Sequence, residues 1–135
     1  MCLLKMFSDN KSFKPFAAST SIPIFSVFDK GEFRRKSSKE PFTQHQISID
    51  VSDKDFDEFN GQVSDAIAFL EAHFDELSLL ISTNEVTDAY LDFPLYSRLT
   101  SDIVNQNDHL PKELIILAGK LSLGIEMAIY EHNES

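Results

Sequence analysis

Cysteine occurs once in this chain, at Cys2, so no intrachain disulfide can brace the fold. A single thiol fits a reducing compartment, and the reading that follows is a cytoplasmic protein. Beside Met1, Cys2 reads as an exposed terminal thiol without the base or lowered pKa that a nucleophile needs. Tryptophan is absent, and the four glycines are scattered, so there is no Gly-rich loop to cradle a phosphate. No apolar run approaches the ~18 residues of a membrane span. The apolar start MCLLKMF is broken by Ser8, Asp9, Asn10 and Lys11, short of the ~7-residue minimum that a signal peptide's apolar core needs after its basic residues. Bases are scarce after residue 40, where four face eighteen acids, a balance of −14. Phosphate groups would be repelled there, which argues against nucleic acid as a partner.

What remains is an ordinary globular composition, 42% hydrophobic and 25% charged, in 135 residues. That length suits one domain with its own core, here residues 1–135. Twelve phenylalanines supply core volume that carries no polar atom to satisfy. The first 40 residues carry eight bases and four acids, a balance of +4 opposite in sign to the rest. Arg34, Arg35 and Lys36 form the densest basic stretch. It is suited to an acidic partner or to the acidic part of a second copy.

Hydrophobic periodicity assigns the elements. Residues 1–19 show no sustained period and read as an N-terminal arm or short edge strand. SIPIFSVF, from Ser21 to Phe28, is β-branched and aromatic and predicts a strand. Asp29-Lys30-Gly31 then suits a hairpin loop whose last residue takes a positive φ, with a returning strand over Glu32–Lys36. His45, Ile47, Ile49 and Val51 alternate with Gln46, Ser48 and Asp50, a strand with one face buried.

Phe56, Val63, Leu70 and Leu77 recur every seven residues, joined by Phe59, Ala66, Phe74 and Leu80. This predicts one amphipathic helix from Asp53 to Ile81, capped by Ser52, with Gly61 a place for a bend. Ala89, Leu91, Phe93 and Leu95 predict a further strand, ended or placed at an edge by Pro94. Residues 96–109 fit a short helix or strand. Pro111 opens a second helix that Gly124 caps, and Ile125, Met127 and Ile129 mark a closing strand before the polar tail. The order β-β-β-α-β-α-β implies an α+β fold: an antiparallel or mixed sheet of about five strands with two helices on one face.

Motifs for chemistry are few. Asp53-Lys54-Asp55-Phe56-Asp57 begins like a calcium loop, but Glu58 and Ser64 stand where that loop needs Gly and Glu. Acids at a helix N-terminus explain the run. None of the four histidines pairs with another His or a Cys at metal-ligand spacing, so no metal and no cofactor are expected. His45 and His73 lie on or near apolar faces and would line a ligand pocket if they met between helices and sheet. The acids Asp57, Glu58, Asp65, Glu71, Asp75 and Glu76 give the long helix an outward negative face, a surface for a cationic protein.

The segments Val86–Phe93, Leu110–Ile115 and Gly124–Tyr130 together resemble a type of small bacterial α+β protein, some of them immunity proteins or passengers of mobile gene cassettes. That resemblance implies an α+β fold in a bacterial cytosol and a protein-binding role without catalytic residues. The reading is therefore a non-enzymatic protein-binding module, able to form a homodimer through its opposite charges. A small-ligand protein with an aromatic pocket is the alternative.

Overall fold

A computed structural model describes residues 1–132. Its elements are β1 (Cys2–Ser8), α1 (Lys14–Ser19), β2 (Ile24–Phe28), β3 (His45–Ser52), α2 (Phe59–Ala72), α3 (Phe74–Thr83), β4 (Asp88–Tyr96), α4 (Lys112–Lys120) and β5 (Gly124–Tyr130). The strands form one sheet in the order β2-β3-β1-β4-β5. Three neighbouring pairs are antiparallel and β4–β5 is parallel, so the α+β sheet is mixed. No helix among the described residues is long and apolar enough to cross a membrane. Of the polar tail, the last three residues lie outside the described ones.

The largest departure from the sequence reading is at the N-terminus. Residues 2–8 are neither an arm nor an edge strand. They form the middle strand, paired with β3 on one side and β4 on the other. Cys2, Leu4, Met6 and Ser8 point into the core and are fully buried. Leu3, Lys5 and Phe7, on the other face, are half-covered. Apolar residues on both faces of CLLKMFS hide the period of two, because the outer face of this middle strand is half-covered as well. Cys2 is thus buried, not an exposed terminal thiol.

One continuous core joins the inner face of the sheet to the helices. Leu4, Met6, Ile47, Ile49, Leu91 and Phe93 meet Phe13 before α1, Val63 and Leu70 of α2, Leu77 of α3 and Leu114 of α4. The expected two helices are four because α1 was not foreseen and the long helix is divided. Its break is at His73 (φ −117°, ψ 17°), not at Gly61. The seven-residue stripe survives because a single non-helical residue separates the two helices. Asp53, Asp55, Asp57 and Glu58 precede α2 and do not form its first turns. Ser52 is not a cap: its hydroxyl donates to the Asp65 carboxylate at 2.6 Å and ties the end of β3 to α2.

Gly31 takes the positive φ its turn requires (92°), but no returning strand follows. β2 pairs with β3 instead, and residues 29–44 make an irregular loop. Residues 96–109 hold neither an additional helix nor a further strand beyond Tyr96, and Arg98 pairs with Asp108 at 2.9 Å across that loop. Gly124 opens β5 and does not cap α4; Ser122 takes the left-handed backbone there (φ 58°).

Pro94 lies inside the sheet and not at an edge. The β1–β4 register ends at Leu3–Asp92, so Pro94 faces a place that β1 no longer occupies. Its missing N–H breaks no ladder bond there. Its carbonyl, on the same side, accepts from the Gln62 side chain at 2.8 Å.

Candidate functional site

The six acids expected on one helix face divide into two groups. Asp65 and Glu76 are half-buried and hold the fold: Asp65 accepts from Ser52 at 2.6 Å, and Glu76 accepts from the Thr20 hydroxyl at 2.7 Å. Asp57, Glu58, Glu71 and Asp75 are exposed. None of these four makes an ion pair among the described residues. Asp57 and Glu58 stand in the turn before α2, and Glu71 and Asp75 flank the break at His73. The exposed acids therefore flank α2, two before it and two about its junction with α3, and do not lie along a single helix face.

The end before α2 is dense. Carboxylate oxygens of Asp55, Asp57 and Glu58 lie within 4.8 Å of one another. Lys54 is the single base between residues 50 and 76, against nine acids. Its stem lies against Gly61, where a Cβ would stand 3.2 Å from the Lys54 side chain. The Met1 backbone nitrogen donates to the Lys54 carbonyl and ties the start of β1 to this end.

His45 and His73, the candidate pocket pair, have separate surroundings. His45 opens β3, where its Nδ1 accepts the Lys30 amide at 3.1 Å and lies 3.4 Å from Asp29. His73 packs at a tilt against Phe69, ring centroids 4.8 Å apart, at the α2–α3 junction. Between helices and sheet, Phe13 and Phe93 are fully buried, Phe93 with its ring edge-on to Phe59, so the phenylalanines there fill core.

The basic stretch is a loop, not a strand end. Arg34 lies over the stacked rings of Phe28 and Phe42, at 5.9 and 5.6 Å from their centroids. Arg35, Lys36 and Lys39 are exposed. Lys14 pairs with Asp29 at 3.5 Å and with Glu32 at the base of this loop. A hydrogen bond from Lys14 holds the Glu32 carboxyl below its ordinary pKa, and one from the Ser12 hydroxyl does the same for Asp29. The Lys14 ammonium is raised in turn, first by its bond to Glu32.

The uncovered face of the sheet carries a constellation that sequence reasoning missed. Ser26, Ser48, Lys5, Tyr90 and Gly124 stand in one row across all five strands. Phe25, Arg34 and Phe42 rise beside them and close a concavity of about 250 Å³. Lys5 pairs with Asp92 at 3.1 Å, and the second Asp92 oxygen is buried without a partner among the described residues. Burial pushes the Tyr90 phenol above its ordinary pKa; Lys5 opposes this, while Glu126, Asp92 and Asp88 add to it. The only available signal was the outward half of each strand's alternation, and aligning those halves requires the register.

Chemically, these surfaces can bind charge. The buried Cys2 thiol is raised far above its ordinary pKa, chiefly by desolvation, and stays protonated. No family model matches the chain, and no curated protein and no solved structure is significantly similar to it.

Proposed function

We propose that this chain is a non-enzymatic protein-binding module whose acidic flank about α2 and its junction with α3 engages a cationic protein, as an immunity protein does when it covers a cationic toxin. The observation that carries this reading is the division among the acids. Asp65 and Glu76 are engaged by hydroxyls that hold the fold, while Glu71, Asp75, Asp57 and Glu58 are exposed and unpaired among the described residues. Like charges held together without counter-charges raise the cost of the compact state, and a partner of opposite sign relieves it. Complementary potentials also speed encounter and suppress wrong partners. The C-terminal resemblance to immunity-type proteins points the same way.

The test is affinity capture with the wild-type chain and with the double variant Glu71→Lys, Asp75→Lys. Both positions are exposed, so the thermal midpoint should change little. The expected result is a cationic protein retained at low salt by the wild type, lost at high salt, and not retained by the variant. Equal retention by the variant would refute the acidic flank as the interface.

A further inference from the structure

The two edges of the sheet are built differently. β2 is short, follows Pro23 and carries a register shift between Ile24 and Ser26. Short, bulged, proline-flanked edges resist pairing with another chain. β5, at the opposite edge, has seven residues, GIEMAIY, with no proline, no lysine and one charge. Ile129 is 62% exposed and Tyr130 50%. On α4, which precedes β5, Ile115 and Ile116 are exposed at 48% and 52%.

The direction of the free edge groups follows from the parallel β4–β5 ladder. The Tyr130 carbonyl accepts the Ser97 amide at 2.8 Å, so Tyr130 points its backbone groups toward β4. In a strand these directions alternate, so Gly124, Glu126 and Ala128 also face β4. Ile125, Met127 and Ile129 therefore turn their N–H and C=O groups outward, where no strand of the described residues meets them.

We infer that β5 pairs with β5 of a second copy of this chain, antiparallel about a two-fold axis through Met127. In that register Met127 faces Met127 of the partner copy, and Ile125 faces Ile129 in both directions. All three outward residues of each strand then exchange both backbone hydrogen bonds, which neighbouring registers do not achieve. The side chains agree with the backbone. Glu126, the only charge in the strand, falls opposite Ala128, so no carboxylate directly faces another. Tyr130 falls opposite Gly124, where the bare backbone leaves room for a ring. Ile125–Ile129 is an apolar cross-strand pair made twice. The axis is perpendicular to the sheet, so both α4 helices lie on the same side. This self-complementarity selects a second copy as occupant, and it does not use the acidic flank.

The test combines light scattering over a range of concentrations with cysteine cross-linking of the full chain. In the inferred register Met127→Cys places two thiols on strands whose Cα atoms are about 5.5 Å apart, within the ~4.4–6.8 Å that a disulfide spans. Ile129→Cys is the control. Its two copies are offset by four residues, roughly 14 Å along the strand at about 3.4 Å per residue. Cys2 is buried and does not compete. The expected result is a dimer that withstands high salt, oxidises to a covalent dimer with Met127→Cys and does not with Ile129→Cys. Ile129→Lys, at an exposed position, should keep the circular dichroism spectrum and weaken the dimer about tenfold or more. A monomer at every concentration would overturn the inference. So would a dimer that salt dissociates and Ile129→Lys leaves intact, since opposite charges would then join the copies. A dimer that Met127→Cys does not cross-link would overturn the register.

Discussion

Replacing Gln62 by glutamate should make the stability of this protein fall as pH rises through the neutral range. Gln62 is fully buried, and its Nε2 donates to the carbonyls of Asp55 at 3.0 Å and Pro94 at 2.8 Å. Its Oε1 has no partner among the described residues. Both partners are acceptors, so the amide orientation follows from the network. Glutamate has nearly the same shape but no NH2 group. Protonated, it can donate to one of the two carbonyls; ionised, it can donate to neither and places a buried charge against both. Its folded-state pKa must therefore rise above the unfolded value of about 4.3.

The sign follows from linkage. The folded variant retains a proton that the unfolded chain releases, so its stability is greatest below the unfolded pKa and falls as pH rises above it. The slope approaches about 1.4 kcal/mol per pH unit, or roughly 3–4 kcal/mol between pH 4.3 and pH 7 while the group stays protonated. On the acid side a residual cost of about 1–3 kcal/mol remains for the carbonyl left unpaired. Urea denaturation of wild type and Gln62→Glu at several pH values measures the difference, from which every wild-type titration cancels. Gln62→Leu supplies the pH-independent reference. A Gln62→Glu difference that stays flat from about pH 4 to pH 7 would refute the buried two-carbonyl environment.

Phe93 is fully buried in β4 and meets Phe59 edge-on with ring centroids 5.8 Å apart, so Phe93→Ala should cost about 3–5 kcal/mol in urea denaturation. Phe74 is only partly buried, and Phe74→Ala should cost less than that. The Cys2 thiol should resist a disulfide reagent in the native protein and react only as the chain unfolds; fast stoichiometric labelling would place it outside the core. Asp29 and Glu32 have depressed folded pKa values, so their contribution is present above the unfolded carboxylate range, about 3.9–4.3, and is lost as pH falls through the lower folded values. Lys14→Met should flatten the acid limb of the thermal midpoint against pH, and an unchanged acid limb would show that Lys14 does not set it.

Much of the helix and sheet content was legible because it obeys one period at a time. β3 and β4 alternate, and α4 and β5 follow from Pro111 and from Ile125, Met127 and Ile129. β1 was not legible, because a strand paired on both sides and half-covered on its outer face carries apolar residues at nearly every position. The break at His73 left no trace in the stripe from Phe56 to Leu77. Among the acids, composition showed the charge but not its use. Asp65 and Glu76 look like Glu71 and Asp75 until Ser52 and Thr20 are brought to them by the fold. The Lys5–Asp92 pair joins residues far apart in sequence through the β1–β4 register, which no local pattern encodes.

The two proposed surfaces have a joint consequence. A two-fold axis perpendicular to the sheet keeps the helices of both copies on one side, so the two acidic flanks would face the same half-space across the joined α4 helices. The dense end of each flank lies near the strand, since Phe56, between Asp55 and Asp57, packs on Tyr130 with ring centroids 5.3 Å apart, so like charge would oppose dimerisation and screening in salt would reduce that opposition. A cationic partner with two binding patches could engage both flanks, and the second contact would form at an effective concentration set by the rigid sheet and not by diffusion. Ile129→Lys would then lower the apparent affinity for such a partner without touching a residue of the acidic flank, whereas Glu71→Lys with Asp75→Lys would abolish binding and leave the dimer intact. Opposite outcomes of these two variants in capture and scattering would separate the binding surface from the assembly surface.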